Sequence, residues 1–323
     1  MTVARALPMT RVRWVILAAG LPVVLALIGF ASYGWVNQTV VYLATENAVG
    51  YSVGFSVPPA GGQARVTTST ADLAVRAGTG HRIMVRGHLR SSLVRPRFTY
   101  RSTPAGLALD PQCRRAPNLA CSLSFGVTVP AGLPVSVSDS FGQLSASGLR
   151  GTVTMSDSSG DLTASRLTGN IHLADLFGNL RATGLSGSIR LDNSSGDIQA
   201  AGVAGDTRLQ DSFGNISVTG ISAADVVASN NSGDITLTFT KVPQRVNVTD
   251  RFGSITLVLP GGPATYRVTT RNSFGSTTVH VPRSPSAQNV ITASNNSGDI
   301  TIVTGKHPVP PPAPGTPGTP AGP

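Results

Sequence analysis

Hydrophobic positions recur with a fixed period of 18 residues through the central part of the chain. The first set is followed at that interval by two more, and the three sets are Leu144, Ala146, Leu149, Val153, Met155; Leu162, Ala164, Leu167, Ile171, Leu173; and Leu180, Ala182, Leu185, Ile189, Leu191. Offsets of two place side chains on one face of a β-strand, and self-similarity at a short fixed period is typical of solenoids. The pattern therefore predicts two short strands per coil, at 144–146 and 153–155 in the first coil, with an apolar corner at Leu149.

A polar tetrapeptide recurs with the same period and marks a second corner. Its copies are Asp139-Ser-Phe-Gly142, Asp157-Ser-Ser-Gly160, Asp175-Leu-Phe-Gly178, Asn193-Ser-Ser-Gly196 and Asp211-Ser-Phe-Gly214. Asp and Asn favour turns through side-chain to backbone hydrogen bonds, and the glycine permits a positive φ or a close backbone approach. The residue before the glycine alternates between Phe and Ser. Because stacked coils lie about 4.8 Å apart, we expect each Phe ring to pack over the smaller Ser-Gly corners above and below it.

The period lengthens after Gly214, and the coil glycines then fall at Gly233, Gly253, Gly275 and Gly298. Insertions at the corners are expected to lengthen loops without disturbing the stack, and Ile300 and Ile302 are expected to close the last coil. The predicted fold is all-β, a single-stranded parallel β-solenoid of nine or ten coils with its repeats over residues 138–304. One transmembrane helix is predicted to precede it. A left-handed helix favours apolar residues every six positions, which these offsets fit poorly, so the prediction is a right-handed solenoid.

The amino-terminal segment predicts a membrane anchor. Residues 1–13 are short and basic, and residues 14–36 are uncharged, which is long enough to cross a bilayer as a helix. Trp14 and Trp35 lie at its two ends, where aromatic rings prefer the interface. The arginines before it predict a cytoplasmic amino terminus and an extracytoplasmic remainder, at the plasma membrane. A cleaved signal peptide is the alternative, although the apolar run is longer than is usual. Residues 37–50 are predicted to be a linker.

Residues 51–137 are predicted to form an irregular basic β module and the start of the solenoid. Ten arginines lie between residues 65 and 115 against Asp72 and Asp110 alone, whereas residues 139–299 are close to neutral. The candidate patch for an anionic polymer or lipid headgroup comprises Arg82, Arg86, Arg90, Arg95, Arg97 and Arg101. A solvated face in an arginine-rich protein is the alternative interpretation. A nucleic-acid partner is not expected, since no recognised binding motif is present and the predicted location is extracytoplasmic.

Cys113 and Cys121 are the two cysteines of the chain. Outside the membrane such a pair predicts a disulfide, with two free thiols as the alternative. The five histidines are scattered, so no zinc site is predicted. Residues 305–323 are rich in proline and predict a disordered tail or spacer.

Repeated carboxylates raise two chemical alternatives. Asp161, Asp197 and Asp234 occupy one slot on alternate coils, about 9.5 Å apart, which is the upper limit for an inverting glycosidase pair. They lie in repeated corner phrases with no local concentration of other catalytic residue types, so an enzyme is disfavoured. The calcium-binding nonapeptide motif is absent. No catalytic, cofactor-binding or metal-ligating residue is predicted, and no cofactor is expected.

Three phrases resemble one known family. They are Val-x-x-Pro-x-Gly at Val127–Gly132, the recurring Ser-Gly-Asp followed by Leu or Ile, and Gly184-Leu-Ser-Gly-Ser-Ile-Arg-Leu191. Over residues 70–304 the chain resembles the DUF4097 family of bacterial β-strand-repeat proteins, described as candidate adhesins. The resemblance implies a β-helix-like fold at the cell surface and a non-enzymatic adhesin or envelope scaffold. The alternative it implies is an accessory protein of an envelope-stress system that acts through a membrane partner.

Overall fold

The computed structural model describes residues 49–59, 62–91, 97–104, 106–112 and 121–305. The predicted cytoplasmic end, the anchor at residues 14–36 and the tail after residue 305 lie outside these ranges. The first strand begins at Val49, two residues inside the predicted linker. Across the described ranges the secondary structure is all β, and no helix there has the length and hydropathy to cross a membrane.

Twenty-four strands are present in the described residues. They are β1 (Val49–Val57), β2 (Ala64–Thr67), β3 (Asp72–Gly78), β4 (Ile83–Ser91), β5 (Arg97–Thr103), β6 (Gly106–Gln112), β7 (Cys121–Pro130), β8 (Val135–Asp139), β9 (Leu144–Ser147), β10 (Arg150–Asp157), β11 (Leu162–Ser165), β12 (Thr168–Asp175), β13 (Leu180–Asn193), β14 (Ile198–Ala204), β15 (Thr207–Gln210), β16 (Ile216–Ile221), β17 (Asp225–Ser229), β18 (Ile235–Phe239), β19 (Arg245–Phe252), β20 (Ile255–Pro260), β21 (Tyr266–Phe274), β22 (Thr277–His280), β23 (Asn289–Ser297) and β24 (Ile300–Gly305).

Successive coils stack as parallel strands in the register that the sequence period predicts. Leu162 of β11 pairs with Leu144 of β9 on one side and with Leu180 of β13 on the other, an offset of 18 residues each time. Val153 of β10 likewise pairs with Ile171 of β12. Each coil therefore contributes one strand to each of two facing parallel sheets. We call the two strands of one coil a rung. From the β8–β9 rung to the β21–β22 rung the two sheets contain nine successive rungs, which confirms a β-solenoid.

The core is the space between the two sheets, and the predicted apolar slots fill it. Leu162, Ala164, Leu167, Ile171 and Leu173 are each 0–1% exposed. Burial of each larger side chain contributes about 1.5–3 kcal/mol, and this gain is offset by the conformational entropy of the ordered coil. A single coil cannot bury its own apolar face, so stability depends on contact between neighbouring coils.

The last coils stack in a different order from their order along the chain. β23 pairs with β19 on one side and with β21 on the other, and β24 lies in the same way between β20 and β22. The expectation that Ile300 and Ile302 close the last coil is therefore wrong, because both are buried inside the stack. The terminal rung is the β21–β22 pair, and its side chains are mostly exposed or half-buried. This mixed rung caps the core.

At the amino-terminal end, too, the order of stacking differs from the order along the chain. β2 lies between β6 and β8, and β3 lies between β7 and β9. The rung of β2 and β3 is therefore flanked on both sides by strands that come later in the sequence. β5 and β6 form an antiparallel hairpin, with Tyr100 opposite Leu109. Residues 97–112 therefore turn back on themselves and depart from the parallel stack, within the module whose sequence is less regular than the repeat.

The described residues divide into two units. The larger one contains those within 52–88, 97–112 and 123–305, and the smaller one contains 49–51, 89–91 and 121–122. The whole 18-residue repeat lies in the larger unit.

Candidate functional site

Four of the six arginines in the predicted patch are exposed in the larger unit. Arg82 lies just before β4, Arg86 lies on the outer face of β4, and Arg97 and Arg101 lie on β5. Arg90 is exposed but belongs to the smaller unit, and Arg95 lies outside the described residues. The structure thus places Arg97 and Arg101 on one face of a single strand and Arg86 on another strand.

Carboxylates do not neutralise the exposed arginines that the structure describes on β4 and β5. Among the described residues, no carboxylate lies within 4.0 Å of a nitrogen of Arg86, Arg97 or Arg101, whereas the repeat arginines Arg181 and Arg190 have ion-pair partners at 2.8 and 2.6 Å. Arg82 donates instead to the hydroxyl and the carbonyl oxygen of Ser56, at 3.1 and 3.0 Å.

Aromatic stacking positions the two arginines of β5. On the inner face of this strand, Tyr100 stacks on Phe55 with ring centroids 4.0 Å apart, and Phe98 stacks on Phe125 at 5.1 Å. Because side chains alternate along a strand, Arg97 and Arg101 face the opposite way and are exposed. The aromatic residues at alternate positions 98 and 100 are the sequence signal for this strand.

The candidate disulfide lies partly outside the described residues. Cys121 begins β7, and Cys113 falls in the segment between residues 112 and 121 that the structure does not describe. The pairing stays a prediction.

The Asp or Asn that opens the polar corner is buried in every coil from Asp139 on except the terminal rung, where Asn272 is half-buried, and sequence reasoning missed this burial. The buried set, here the corner column, is 1–5% exposed and comprises Asp139, Asp157, Asp175, Asn193, Asp211, Asn230, Asp250 and Asn295. The expected turn hydrogen bonds are present, for example from the Ser140 and Ser212 backbone N–H groups to Asp139 and Asp211, both at 2.7 Å. Burial raises the pKa of Asp139 and Asp175 to about 7 and that of Asp211 and Asp250 to about 6. Burial also raises the pKa of Asp157.

The phenylalanines before the coil glycines form an exposed row along this corner. The Phe row comprises Phe141, Phe177, Phe213, Phe252 and Phe274, and their side chains are 61%, 66%, 61%, 55% and 70% exposed. The rings therefore project from the surface, and the packing over neighbouring corners that the sequence led us to expect covers less than half of each ring.

The alternation of Phe and Ser is complete in space although it breaks along the chain. Phe252 and Phe274 follow one another in sequence, but Ser297 lies between them in the stack and pairs with both. The Gly253 amide donates to the Ser297 carbonyl at 3.0 Å, and the Gly298 amide donates to the Phe274 carbonyl at 2.8 Å. The inserted rung thus restores a repeat of two coils.

The residue after the glycine follows the same two-coil repeat, with a carboxylate on each Ser rung. These acids are Asp161, Asp197, Asp234 and Asp299. Asp161 accepts the Asn179 amide at 3.0 Å and the Arg181 guanidinium at 2.8 Å, and Asp197 accepts the Asn215 amide at 2.9 Å. The backbone hydrogen bond from Asn179 is the main cause that holds the pKa of Asp161 below its usual range. These carboxylates link neighbouring coils through hydrogen bonds, and the lowered pKa of Asp161 does not fit a general acid.

Comparison with known proteins identifies the repeat. The profile of the family described as Toastrack DUF4097 matches residues 127–303, which is more than half of the chain. No curated protein matches. A crystal structure of a protein from Clostridium sporogenes ATCC 15579, provisionally described as a cell adhesion protein, is similar over 80% of this chain and all of the other, with 10% identity and a TM-score of 0.26. The repeat grammar, the paired parallel sheets and the family match agree, and the chain belongs to the Toastrack DUF4097 family.

Proposed function

We propose that this protein is a non-enzymatic, adhesin-like binding module of the cell envelope, whose exposed arginines bind an anionic envelope polymer or lipid headgroup. The observation that carries the proposal is the placement of Arg86, Arg97 and Arg101 as exposed residues of one basic module, with no carboxylate within 4.0 Å of them among the described residues. A guanidinium presents a planar fork of donors to phosphate or carboxylate oxygens. Arginines that are held on stacked strands and free of internal partners are available for such contacts.

The non-enzymatic part of the proposal is supported by the chemistry of the regular acids. Asp161 and Asp197 are engaged by backbone amides of the next coil. The acids of the corner column are buried away from any substrate. The right hand of the solenoid, the anchor at residues 14–36 and the extracytoplasmic location are proposed from the sequence alone, and they place the arginines where envelope polymers are found.

The test is a binding experiment with the full chain in neutral detergent. The probes are beads that carry poly(glycerol phosphate), beads coated with phosphatidylglycerol, and uncharged dextran and phosphatidylcholine beads as blanks. We expect retention on one or both anionic surfaces that falls as salt rises from 50 to 500 mM, because screening weakens exposed charge pairs. The two anionic arms distinguish a polymer from a lipid.

A matched pair of variants isolates the arginine module. Arg86→Ser, Arg97→Ser and Arg101→Ser together should abolish retention. Arg150→Ser, Arg208→Ser and Arg267→Ser remove the same charge from exposed positions in the repeat and should retain most of it. Equal loss in both variants would show that binding depends on net charge and not on the arginine module. If the folded protein is retained by neither anionic surface, the proposal is refuted.

A further inference from the structure

The Phe row is a large apolar feature on an otherwise polar corner. Five rings expose 55–70% of their surface, which amounts to on the order of 500–700 Å² of aromatic area at about 200 Å² per ring. A typical monomer exposes contiguous apolar patches of at most about 300–600 Å². A stable interface buries about 800 Å² per partner. The aromatic area of the row is thus most of what one partner buries in such an interface.

The row is also regular in a way that random surface hydrophobics are not. Along the stack the residue before the coil glycine runs Phe141, Ser159, Phe177, Ser195, Phe213, Ser232, Phe252, Ser297, Phe274. Each pair of rings is separated by one small residue, so ridges about 9.5 Å apart alternate with notches of the same spacing. The rung of β2 and β3 precedes Phe141 and carries the exposed Thr70 in the same slot, which adds a notch at that end.

We propose that the Phe row is the interface of an antiparallel homodimer in which the rings of one copy fit the notches of a second copy. A two-fold axis that crosses the solenoid between Ser195 and Phe213 reverses the order of rungs. It sets each Phe opposite a small residue of the other copy. The five contacts are Phe141 to Ser297, Phe177 to Ser232, Phe213 to Ser195, Phe252 to Ser159 and Phe274 to Thr70. The contacts are reciprocal, as an isologous interface requires.

The charge pattern favours this pairing over the alternatives. At the slot after the coil glycine, carboxylates lie on the Ser and Thr rungs, at Asp72, Asp161, Asp197, Asp234 and Asp299, and the Phe rungs carry Gln, Asn or Ser in that slot. The aspartates of the corner column that lie on the Phe rungs are buried. In the ridge-to-notch register each of these five acids faces a neutral residue in the same slot of the other copy, and the positive edge of an aromatic ring is a favourable neighbour for a carboxylate. A register shifted by one rung would place Phe against Phe and acid against acid, which like-charge repulsion disfavours.

The test is directed cross-linking in the full chain, with Cys113 and Cys121 changed to Ser in every copy. One tagged copy carries Ser195→Cys and a differently tagged copy carries Phe213→Cys. Oxidation of the co-expressed pair should give a covalent heterodimer, because these positions face each other. The control pair, Ser159→Cys with Phe213→Cys, is displaced by two rungs, about 9.5 Å, which exceeds the reach of a disulfide. Equal cross-linking of both pairs, or none of the matched pair, would refute the register.

A second measurement tests the interface without cysteines. Sedimentation of the full chain in neutral detergent should give a dimer for the unchanged protein and a monomer for the variant Phe177→Ser, Phe213→Ser, Phe252→Ser. The rings are exposed, so this variant should melt within a few degrees of the unchanged protein. A monomeric unchanged protein would overturn the proposal, and retention of uncharged polysaccharide lost in the same variant would assign the row to an envelope glycan instead.

Discussion

The Asn295 side-chain amide donates to the Gly253 carbonyl of the neighbouring coil at 2.7 Å. Asn193 and Asn230 make the same bond to Gly178 and Gly214, at 3.1 and 2.8 Å. The aspartates of the corner column place an oxygen where these asparagines place the amide nitrogen. A Cβ at Gly298 would lie 3.2 Å from the Asn295 nitrogen, and one at Gly142 would lie 2.9 Å from Asp139 Oδ2. An ionised carboxylate at this position has no proton to donate to the neighbouring carbonyl oxygen. A protonated carboxyl group can donate its O–H to that carbonyl, as the asparagine amide does.

Asp175→Asn should therefore stabilise the protein at neutral and alkaline pH. Asp175 Oδ2, the oxygen nearest the coil glycine, has no hydrogen-bond partner among the described residues, and an unsatisfied buried polar group costs about 1–3 kcal/mol. The amide supplies the missing donor to the preceding coil, so the melting temperature at pH 8 should rise by several degrees. Asp206→Asn, at an exposed position, is the control and should change little. A lower melting temperature for Asp175→Asn would show that the carboxylate has a role the geometry does not reveal.

The stability of the protein should fall as pH rises from 4 to 8. Burial raises the folded-state pKa of Asp139 and Asp175 to about 7 and of Asp211 and Asp250 to about 6, from 3.8. The folded state thus holds protons that the unfolded state has released, and this contribution is complete below about pH 4 and lost as pH passes 6 to 7. Repulsion from neighbouring carboxylates also raises the pKa values of the column. These carboxylates are Asp157 within the column and Asp72, Asp161, Asp197 and Asp234 outside it.

Thermal melts at pH 5 and pH 8 measure this dependence. The unchanged protein should melt at least several degrees lower at pH 8, and the variant with Asp139, Asp175, Asp211 and Asp250 all changed to Asn should lose most of that difference. A melting temperature that rises toward pH 8 would contradict protonated aspartates in the column.

The coil glycines are needed for the close approach of successive corners. A Cβ at Gly178 would collide with the backbone carbonyl of Gly160, and both are fixed by the stack. Gly178→Ala should cost about 3 kcal/mol, the upper part of the range for overpacking, because a backbone atom cannot rotate away. Gly80→Ala is the matched control, since no atom lies within 4 Å of its Cβ position and its φ is not in the left-handed region. Chemical denaturation of the two variants gives the comparison, and equal costs would rule out the steric explanation.

The solenoid core should not tolerate a charge at a predicted apolar slot. Leu180 is 0% exposed and pairs with Leu162 and Ile198 on the neighbouring coils. Leu180→Asp buries an unpaired carboxylate at the contact of three coils, which costs several kcal/mol, and should unfold much of the array. Thr163→Asp, an exposed position on the adjacent strand, should fold normally. An unchanged circular dichroism melt for Leu180→Asp would show that the register is wrong.

The sequence predicted the regular coils well and the ends of the array poorly. The apolar slots around Leu162 and Ile171 could be assigned because a two-residue offset and an 18-residue period determine both face and register. The place of Ser297 between Phe252 and Phe274 could not be predicted, because the period shows whether a coil carries Phe or Ser but not the order in which the coils stack. It was nevertheless signalled by two consecutive Phe coils, which broke the alternation. The exposure of Arg97 and Arg101 depends on the antiparallel hairpin, which has no repeat to reveal it.

Engineered disulfides should confirm the stacking order at the carboxyl-terminal end. Asn247 and Thr292 are paired outward-facing residues on neighbouring strands, and Thr269 lies on the far side of Thr292. In a background with Cys113 and Cys121 changed to Ser, the pair Asn247→Cys with Thr292→Cys should oxidise readily, because adjacent strands lie about 4.8 Å apart. The pair Asn247→Cys with Thr269→Cys spans two rungs, beyond the Cα separation of about 7 Å that a disulfide allows, and should stay reduced. Peptide mapping by mass spectrometry identifies the bond, and the reverse result would mean that the coils stack in the order in which they occur along the chain.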